Sequence, residues 1–191
     1  MTRRILLAST SPRRIEILGS TGLQFEAVSP DYEEDMTLPL DATELAKVLS
    51  LGKAMAVAQL HPEAIVIGAD TFIAHNGVVL GKPHTAERAK HMLQQLSGVT
   101  HQVITGLSVV CVESAQTIQV AEVAQVTFRT ITSEEIDAYI ATGEPLDRAG
   151  AYAIQSGAKK FVERTEGDYM SILGLPKDRL LKIFNSEFNI S

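Results

Sequence analysis

The 191-residue sequence has little that would suit a disulfide-stabilised, membrane or nucleic-acid-binding protein. Its single cysteine, Cys111, excludes an internal disulfide framework and favours a reducing compartment. No stretch approaches the roughly 20 apolar residues of a membrane-spanning helix, and the first apolar run is too short for a signal peptide. The formal net charge is -6 with no basic block, whereas a general nucleic-acid binder needs a surplus of Lys and Arg. We therefore expect a cytoplasmic protein with no membrane and no nucleic-acid partner.

Several catalytic signatures are also missing from the sequence. It contains no Gly-rich phosphate loop of the Walker or dinucleotide type and no Gly-x-Ser-x-Gly elbow. The five histidines are scattered without a ligand-like pair, which argues against a structural zinc site. Hydrophobic residues make up 45% of the chain and charged residues 21%, which is typical of a folded domain. Because no repeat or linker is visible, we predict a single domain over residues 1–191.

Strand-like and capped helix-like stretches alternate along the chain and predict an α/β fold with a mixed sheet. Helices are predicted from Pro12, over 41–61, 85–98 and 132–143, and from about Pro176. Capping boxes are predicted at Asp41 with Glu44 and at Thr132 with Glu135. Strands are predicted over 4–8, 24–30, 101–114 and 118–131, with the last two paired through a turn near Ala115. Further strands are predicted in a hairpin that turns at Asn76-Gly77 and in a final hairpin before the last helix.

Two adjacent arginines follow the first strand in the stretch "STSPRR", with Ser11 as the predicted helix cap. Cations in the first turn of a helix are slightly unfavourable, because the helix start already carries partial positive charge. A bound anion would offset that cost, and an Arg fork matches the oxygens of a phosphate. Ser11, Arg13 and Arg14 therefore form a candidate phosphate site. The alternative is an ordinary surface helix start with solvated arginines.

Four other stretches place polar residues at the ends of predicted elements. Asp70 directly follows a buried strand in "IVIGADT", where it could act as a general base, hold a divalent cation or cap a turn. Lys53 lies on the long helix and Lys82 on a loop that Pro83 constrains, although lysines are most often solvated. The carboxylates of "DYEED" could supply metal ligands or form a solvated loop. Gln155, in "DRAGAYAIQS", offers donor and acceptor groups for a base edge, or belongs to a tight packing loop.

Taken together, these stretches resemble the Maf family of nucleotide pyrophosphatases. The resemblance spans nearly the whole chain, through "ASTSPRR", "GADT", "GKP", "DRAGAYAIQ" and "GLP" in that order. It implies an elongated, two-lobed fold of the Maf/ITPase type, with a mixed sheet and a central cleft. It also implies hydrolysis of a nucleoside triphosphate to the monophosphate and pyrophosphate with a divalent metal (Mg²⁺, Mn²⁺ or Co²⁺), and a homodimer. Arg13, Thr71 and Gln155 favour the branch that acts on dTTP and UTP over the branch that acts on a methylated GTP.

The resemblance also implies roles for individual residues. Asp70 corresponds to the acidic residue that activates water, and Glu33 to an acidic position near the metal. Arg13, Thr71 and Gln155 correspond to positions that set base preference. Four residues match phosphate-binding positions: Ser11, Arg14, Lys53 and Lys82. Two departures from the family pattern are Ala153, where many relatives have Gly, and Gly52, where a charged residue is common.

The chemistry of the reaction agrees with these assignments. Breaking the α–β phosphoanhydride bond builds negative charge on the departing pyrophosphate, which positioned cations stabilise. A non-enzymatic alternative is a nucleotide-binding regulator of cell division or septum formation, for which Asp70 would be dispensable.

Overall fold

Apolar stretches form the buried strands Ile5–Ala8, Ile65–His75 and Thr100–Cys111, whereas the strand Val162–Glu166 is mostly charged and exposed. In the computed structural model, which describes residues 3–190, the described chain contains seven strands and six α-helices. The strands are β1 Ile5–Ala8, β2 Glu26–Val28, β3 Ile65–His75, β4 Val78–Leu80, β5 Thr100–Cys111, β6 Gln116–Phe128 and β7 Val162–Glu166. The helices are α1 Pro12–Gly19, α2 Ala42–Ala58, α3 Ala86–Leu96, α4 Ser133–Ile140, α5 Tyr169–Ile172 and α6 Lys177–Phe188. Short 3₁₀ helices span Glu144–Asp147, Ala149–Ala151 and Lys159–Phe161.

The N-caps at Asp41 and Thr132 lie where they were predicted, but only Thr132 forms a full capping box. The Asp41 side chain accepts hydrogen bonds from the backbone N–H groups of Thr43 and Glu44, at 2.9 Å each. The Glu44 carboxylate accepts from Lys47 at 2.7 Å, so its bond is made within the helix rather than in a capping box. At α4, Thr132 and Glu135 form the full capping box that was predicted.

The strands form one mixed sheet in the order β2-β1-β3-β5-β6-β7, with β4 paired to β3. The buried strand β1 lies parallel to both neighbours, with Leu6 opposite Glu26 of β2 and Val66 of β3. The hairpin between β3 and β4 turns at Asn76-Gly77, and β5 is bonded to β6, both as predicted. The prediction of a final hairpin was wrong, because β7 pairs antiparallel with β6. The predicted α/β fold with a mixed sheet is confirmed.

The chain divides into two compact units. The first holds residues up to 71, residues 105–122 and residues from 170 onward, and the second holds residues 72–104 and 123–169. The long strands β3, β5 and β6 each contribute residues to both units. Within residues 3–190, no helix has the length and apolar composition needed to cross a membrane. The elongated shape and central cleft implied by the resemblance stay predictions.

In the first unit, helix α2 lies directly on the backbone of β3 and β5. A Cβ atom added at Gly68 would overlap the Ser50 carbonyl oxygen, and one at Gly106 would overlap the Ala46 carbonyl group. The buried hydroxyls of Ser50 and Ser108 bond each other at 2.8 Å in the same contact. Glycine therefore permits a close approach of helix to sheet that any side chain would prevent. This contact sets the distance between α2 and the sheet, and the candidate site forms between the two.

In the second unit, the core is built from edge-to-face aromatic contacts around His101. This histidine is 2% exposed, and its Nε2 atom bonds the Tyr152 hydroxyl at 2.8 Å. Its ring lies 4.9 Å from that of Phe128 and 5.5 Å from that of Tyr152, measured between centroids. Burial lowers the pKa of His101 to about 4, with a further contribution from His75. The folded protein therefore holds this imidazole neutral.

We predict that the protein loses stability as the pH falls from about 6.5 to about 4. In this window His101 takes up a proton in the unfolded chain, at its ordinary pKa, but stays neutral in the folded protein. Its contribution is fully present above the unfolded pKa, and we expect a loss of up to about 3 kcal/mol across the window. Urea unfolding at pH 7.5, 5.5 and 4.5 measures this. His101→Gln should flatten the profile, and parallel profiles for the two proteins would contradict the prediction.

Candidate active site

Asp70 lies beneath helix α2 because of the close contact at Gly68. The prediction that Asp70 directly follows a strand was wrong, because β3 continues through it to His75. Residues two apart on a strand share a face, so Asp70 points to the same side as Gly68, toward the helix. On α2, Lys53 follows Ser50 by three residues and so lies on the same helix face. The Lys53 ammonium group donates a hydrogen bond to Oδ1 of Asp70. The two residues are only 9% and 6% exposed, which makes this a buried ion pair.

A second carboxylate shares the same lysine. Glu34, in the loop between β2 and α2, places its Oε1 atom 2.7 Å from the Lys53 Nζ atom. The Glu34 side chain is 44% exposed, so this carboxylate stays accessible to solvent. The sequence singled out its exposed neighbour Glu33, whose role near a metal stays a prediction. Because an irregular loop has no periodicity, its sequence does not indicate which of two adjacent glutamates faces the helix.

The aromatic ring of Tyr32 covers the residue before Lys53. A Cβ atom at Gly52 would overlap the Cζ and Cε2 atoms of Tyr32 and would lie 2.5 Å from its phenol oxygen. Burial raises the pKa of Tyr32, the charge of Lys53 lowers it, and the charges of Asp70 and Glu34 raise it further. The phenol therefore lies within the electrostatic field of Lys53 and the two carboxylates that bind it. Gly52 is the residue that makes room for this ring.

The guanidinium group of Arg14 is bound on three sides. Its Nε atom donates to the carbonyl oxygen of Gly174 at 2.9 Å, and its Nη2 atom donates to the Thr71 hydroxyl at 3.3 Å. Its Nη1 atom lies 3.5 Å from the buried hydroxyl of Ser9. Gly174 adopts φ +112°, a conformation that residues with side chains rarely occupy. This glycine, in the "GLP" stretch, thus aims a carbonyl group at the arginine of α1.

The hydroxyl of Thr71 continues this network into the sheet. It lies 2.8 Å from the hydroxyl of Thr105, which donates its proton to the Ser171 carbonyl oxygen at 2.7 Å. Since a hydroxyl has one proton, Thr71 must donate to Thr105 and accept from Arg14. Both hydrogen bonds of the Thr71 hydroxyl are therefore made to protein groups. The predicted role of Thr71 in base preference stays a prediction. Thr105 was missed by sequence reasoning because it lies within an apolar strand.

The cluster balances two cations against two anions. Burial lowers the pKa of Arg14, and the nearby charges of Asp70 and Glu34 raise it. Lys53 is held by the same two carboxylates. An entering phosphate group would therefore meet Lys53 already paired with two carboxylates, and Arg14 already bonded to a carbonyl group and a hydroxyl.

The remaining predicted residues lie on both units. Ser11 is the N-cap residue of α1, as predicted, but its side chain makes no capping bond to the backbone of Pro12–Gly19. Its N–H donates to the Ser9 hydroxyl at 3.2 Å. Arg13 is half-buried on the same helix. Lys82 and Gln155 are exposed residues of the second unit. The predicted phosphate or base contacts of all four residues stay predictions.

The donor set fits a hard divalent cation that binds together with a substrate. Two carboxylates, Glu34 and Asp70, converge on one point that Lys53 now fills. Among residues 3–190 there is no group of three or more His, Cys, Asp or Glu side chains arranged to hold a metal. Mg²⁺ commonly binds through one or two carboxylates and completes its shell with water and phosphate oxygens. The predicted metal dependence is compatible with this donor set and stays a prediction.

Comparison with known proteins identifies the family. The sequence profile described as "Maf-like protein" matches residues 4–187. This chain belongs to the Maf-like protein family. It is 46% identical over 180 residues to a protein of Bacillus cytotoxicus named dTTP/UTP pyrophosphatase, covering 94% of this chain and 93% of the relative. It is 44% identical over 188 residues to a Bacillus cereus protein with the same name, covering 98% and 97%.

Two solved structures share the fold of this Maf-like chain. One is the Ham1 protein of Staphylococcus aureus, with a TM-score of 0.51, 14% sequence identity, and coverage of 95% of this chain and 97% of that one. The other is protein VC0702 of Vibrio cholerae, with a TM-score of 0.50, 12% identity and full coverage of both chains. At this level of identity the likeness concerns the fold alone.

We predict that Thr105→Val destabilises the protein by about 1–3 kcal/mol. Valine has nearly the same shape but removes the acceptor of the Thr71 hydroxyl proton and one of the two donors to the Ser171 carbonyl oxygen, which keeps the Gly174 N–H. Thr105→Ser keeps the hydroxyl and should lose less. The free energy of unfolding in urea measures both effects. A loss for Thr105→Val that is smaller than the loss for Thr105→Ser would show that the methyl group matters more than the hydroxyl network at this position.

Proposed function

We propose that this chain is a nucleoside triphosphate pyrophosphatase that hydrolyses dTTP and UTP to the monophosphate and pyrophosphate. The observation that carries the proposal is the buried Asp70–Lys53 pair with Glu34 and Arg14 around it. This cluster combines a carboxylate that can act on water with two cations suited to phosphate oxygens. The curated relatives at 44–46% identity carry the name of this same activity.

The reaction requires Lys53 to exchange partners. In the structure its ammonium group binds two carboxylates, and a phosphate oxygen of the substrate can replace them as its acceptor. Replacing the carboxylates by a phosphate oxygen costs less free energy than removing them, because an uncompensated Lys53 charge in a buried site is strongly unfavourable. Once Lys53 turns to the phosphates, Asp70 is released to orient a water molecule and take its proton.

Hydrolysis then proceeds by attack of this water on the α-phosphorus. The bond from the α-phosphorus to the bridging oxygen breaks, and pyrophosphate leaves with the electron pair. Arg14 and Lys53 stabilise the negative charge that develops on the phosphate oxygens. Glu34 and Asp70 would hold a divalent cation (Mg²⁺, Mn²⁺ or Co²⁺), which supplies positive charge to the triphosphate when bound. Glu33, the exposed neighbour of Glu34, is the second candidate for the acidic position.

The remaining assignments rest on the family resemblance. We propose that Ser11 and Lys82 bind phosphates and that Arg13, Thr71 and Gln155 set the preference for a pyrimidine base. For Thr71 we propose an indirect effect through Arg14, since its hydroxyl bonds that guanidinium group. A cytoplasmic location, favoured by the single cysteine, and a homodimer are parts of the same proposal.

We predict that Asp70→Asn lowers kcat by about 10²–10⁴-fold, the usual contribution of a positioned general base. The amide has nearly the shape of the carboxylate but accepts no proton. Pyrophosphate release is measured with Mg²⁺ over dTTP, UTP, dCTP and GTP. The exposed Asp178, in the first turn of α6, supplies a matched control as Asp178→Asn.

Turnover of dTTP and UTP by the wild-type protein and by Asp178→Asn, lost in Asp70→Asn, is the expected result. A folded wild-type protein that turns over none of the four nucleotides would contradict the proposal and favour a regulatory binding role. Turnover by Asp70→Asn at the wild-type rate would remove Asp70 from the mechanism.

A further inference from the structure

The loop that carries Glu34 touches helix α2 at two consecutive residues. Glu34 bonds Lys53, and the ring of Tyr32 lies against the bare backbone of Gly52. The ring is half-buried although it belongs to a loop of mostly exposed residues. The loop is thus fixed by an aromatic contact directly beside the ion pair.

A local turn follows Glu34 directly in the same loop. The Asp35 carboxylate accepts from the backbone N–H of Thr37 at 2.9 Å and from the Thr37 hydroxyl at 2.6 Å. This is a local turn that orders the backbone just after Glu34. Glu34 therefore lies between the ring of Tyr32, which contacts α2 at Gly52, and the local turn at Asp35. Its long and partly exposed side chain would otherwise sample many rotamers and bind Lys53 less often.

The backbone conformation at position 52 does not require a glycine. It lies in the interior of α2, where glycine is unfavourable compared with alanine, and it is not among the glycines with positive φ. What it provides is space, since a Cβ atom would overlap the ring of Tyr32. The pair Gly52 and Tyr32 is therefore one packing unit, and its effect falls on the adjacent Lys53 and on Glu34.

We propose that Tyr32 is a positioning residue, whose ring in the notch at Gly52 holds Glu34 against Lys53 and Asp70 so that the two carboxylates receive the divalent cation of the triphosphate substrate. This inference rests on the proposed function, because it concerns the cation that accompanies the substrate. It assigns a role to the ring and not to the phenol hydroxyl. Residues that orient a metal ligand typically change metal affinity by about 10–100-fold when they are lost.

The experiment measures Mn²⁺ binding by electron paramagnetic resonance, with the full chain and an α,β-imido analogue of dTTP. We expect Tyr32→Ala and Gly52→Ala each to weaken Mn²⁺ binding by about tenfold, because each removes the ring from its seat. Tyr32→Phe keeps the ring and should keep the affinity. Tyr169→Ala, at a tyrosine that is 42% exposed in the second unit, is the matched control and should have no effect.

A double-mutant cycle separates positioning from a general loss of structure. Glu34→Gln should weaken Mn²⁺ binding, and Tyr32→Ala added to it should cause no further loss, because the ring acts through Glu34. Circular dichroism and the thermal midpoint of each variant confirm folding. If Gly52→Ala does not fold, the Tyr32 variants and the cycle still decide the question.

Two results would overturn the proposal while leaving the proposed function intact. One is Mn²⁺ affinity within about twofold of the wild type in Tyr32→Ala, when Glu34→Gln loses about tenfold or more. The other is a full additional loss when Tyr32→Ala is combined with Glu34→Gln. A wild-type chain that binds no Mn²⁺ with the analogue and hydrolyses no nucleotide would instead overturn both proposals.

Discussion

The close contact of helix α2 with the sheet is the constraint on which the candidate site depends. At Gly68 and Gly106 the helix touches strand backbone directly, so its distance from the sheet is set by hard atomic contact. Lys53 extends from that helix to Asp70 on the strand below it, and both are nearly excluded from water. A side chain at either glycine would lift the helix and separate a buried ion pair. Such a separation is costly, because each charge would lose its compensation.

Because the helix and the sheet are in rigid contact, the charges of the cluster are held in place before the reaction. Two carboxylates and two cations lie close together with few alternative partners, so a polyanionic substrate changes the pairing rather than creating it. Charges held in place before the reaction need little reorganisation when negative charge develops on the substrate. Arg14 illustrates the principle, because a carbonyl group and two hydroxyls of the protein hold its guanidinium group.

The sequence predicted what local patterns determine. Caps and the Asn76-Gly77 turn follow from neighbouring residues, whereas Asp70 lies inside β3 and Lys53 inside α2, so local patterns alone did not place these two together. Contacts between distant segments were missed. The pairing of β7 with β6 replaced a predicted hairpin, since strand partners depend on tertiary packing. Thr105 was missed because a hydroxyl in an apolar strand gives no signal of its partner. Within the stretch "DYEED", Glu34 was not distinguished from Glu33 because a loop has no period.

The two arginines at the start of α1 raise a question about charge that the structure answers for one of them. Cations are unfavourable at a helix start, and the first turn of α1 contains no acidic residue. The positive charge of Arg14 is stabilised within the protein by the Gly174 carbonyl oxygen and by the charges of Asp70 and Glu34. An external anion is therefore not needed to explain its presence. Arg14 is thereby ordered before substrate arrives, and an ordered cation binds a phosphate without first losing side-chain entropy.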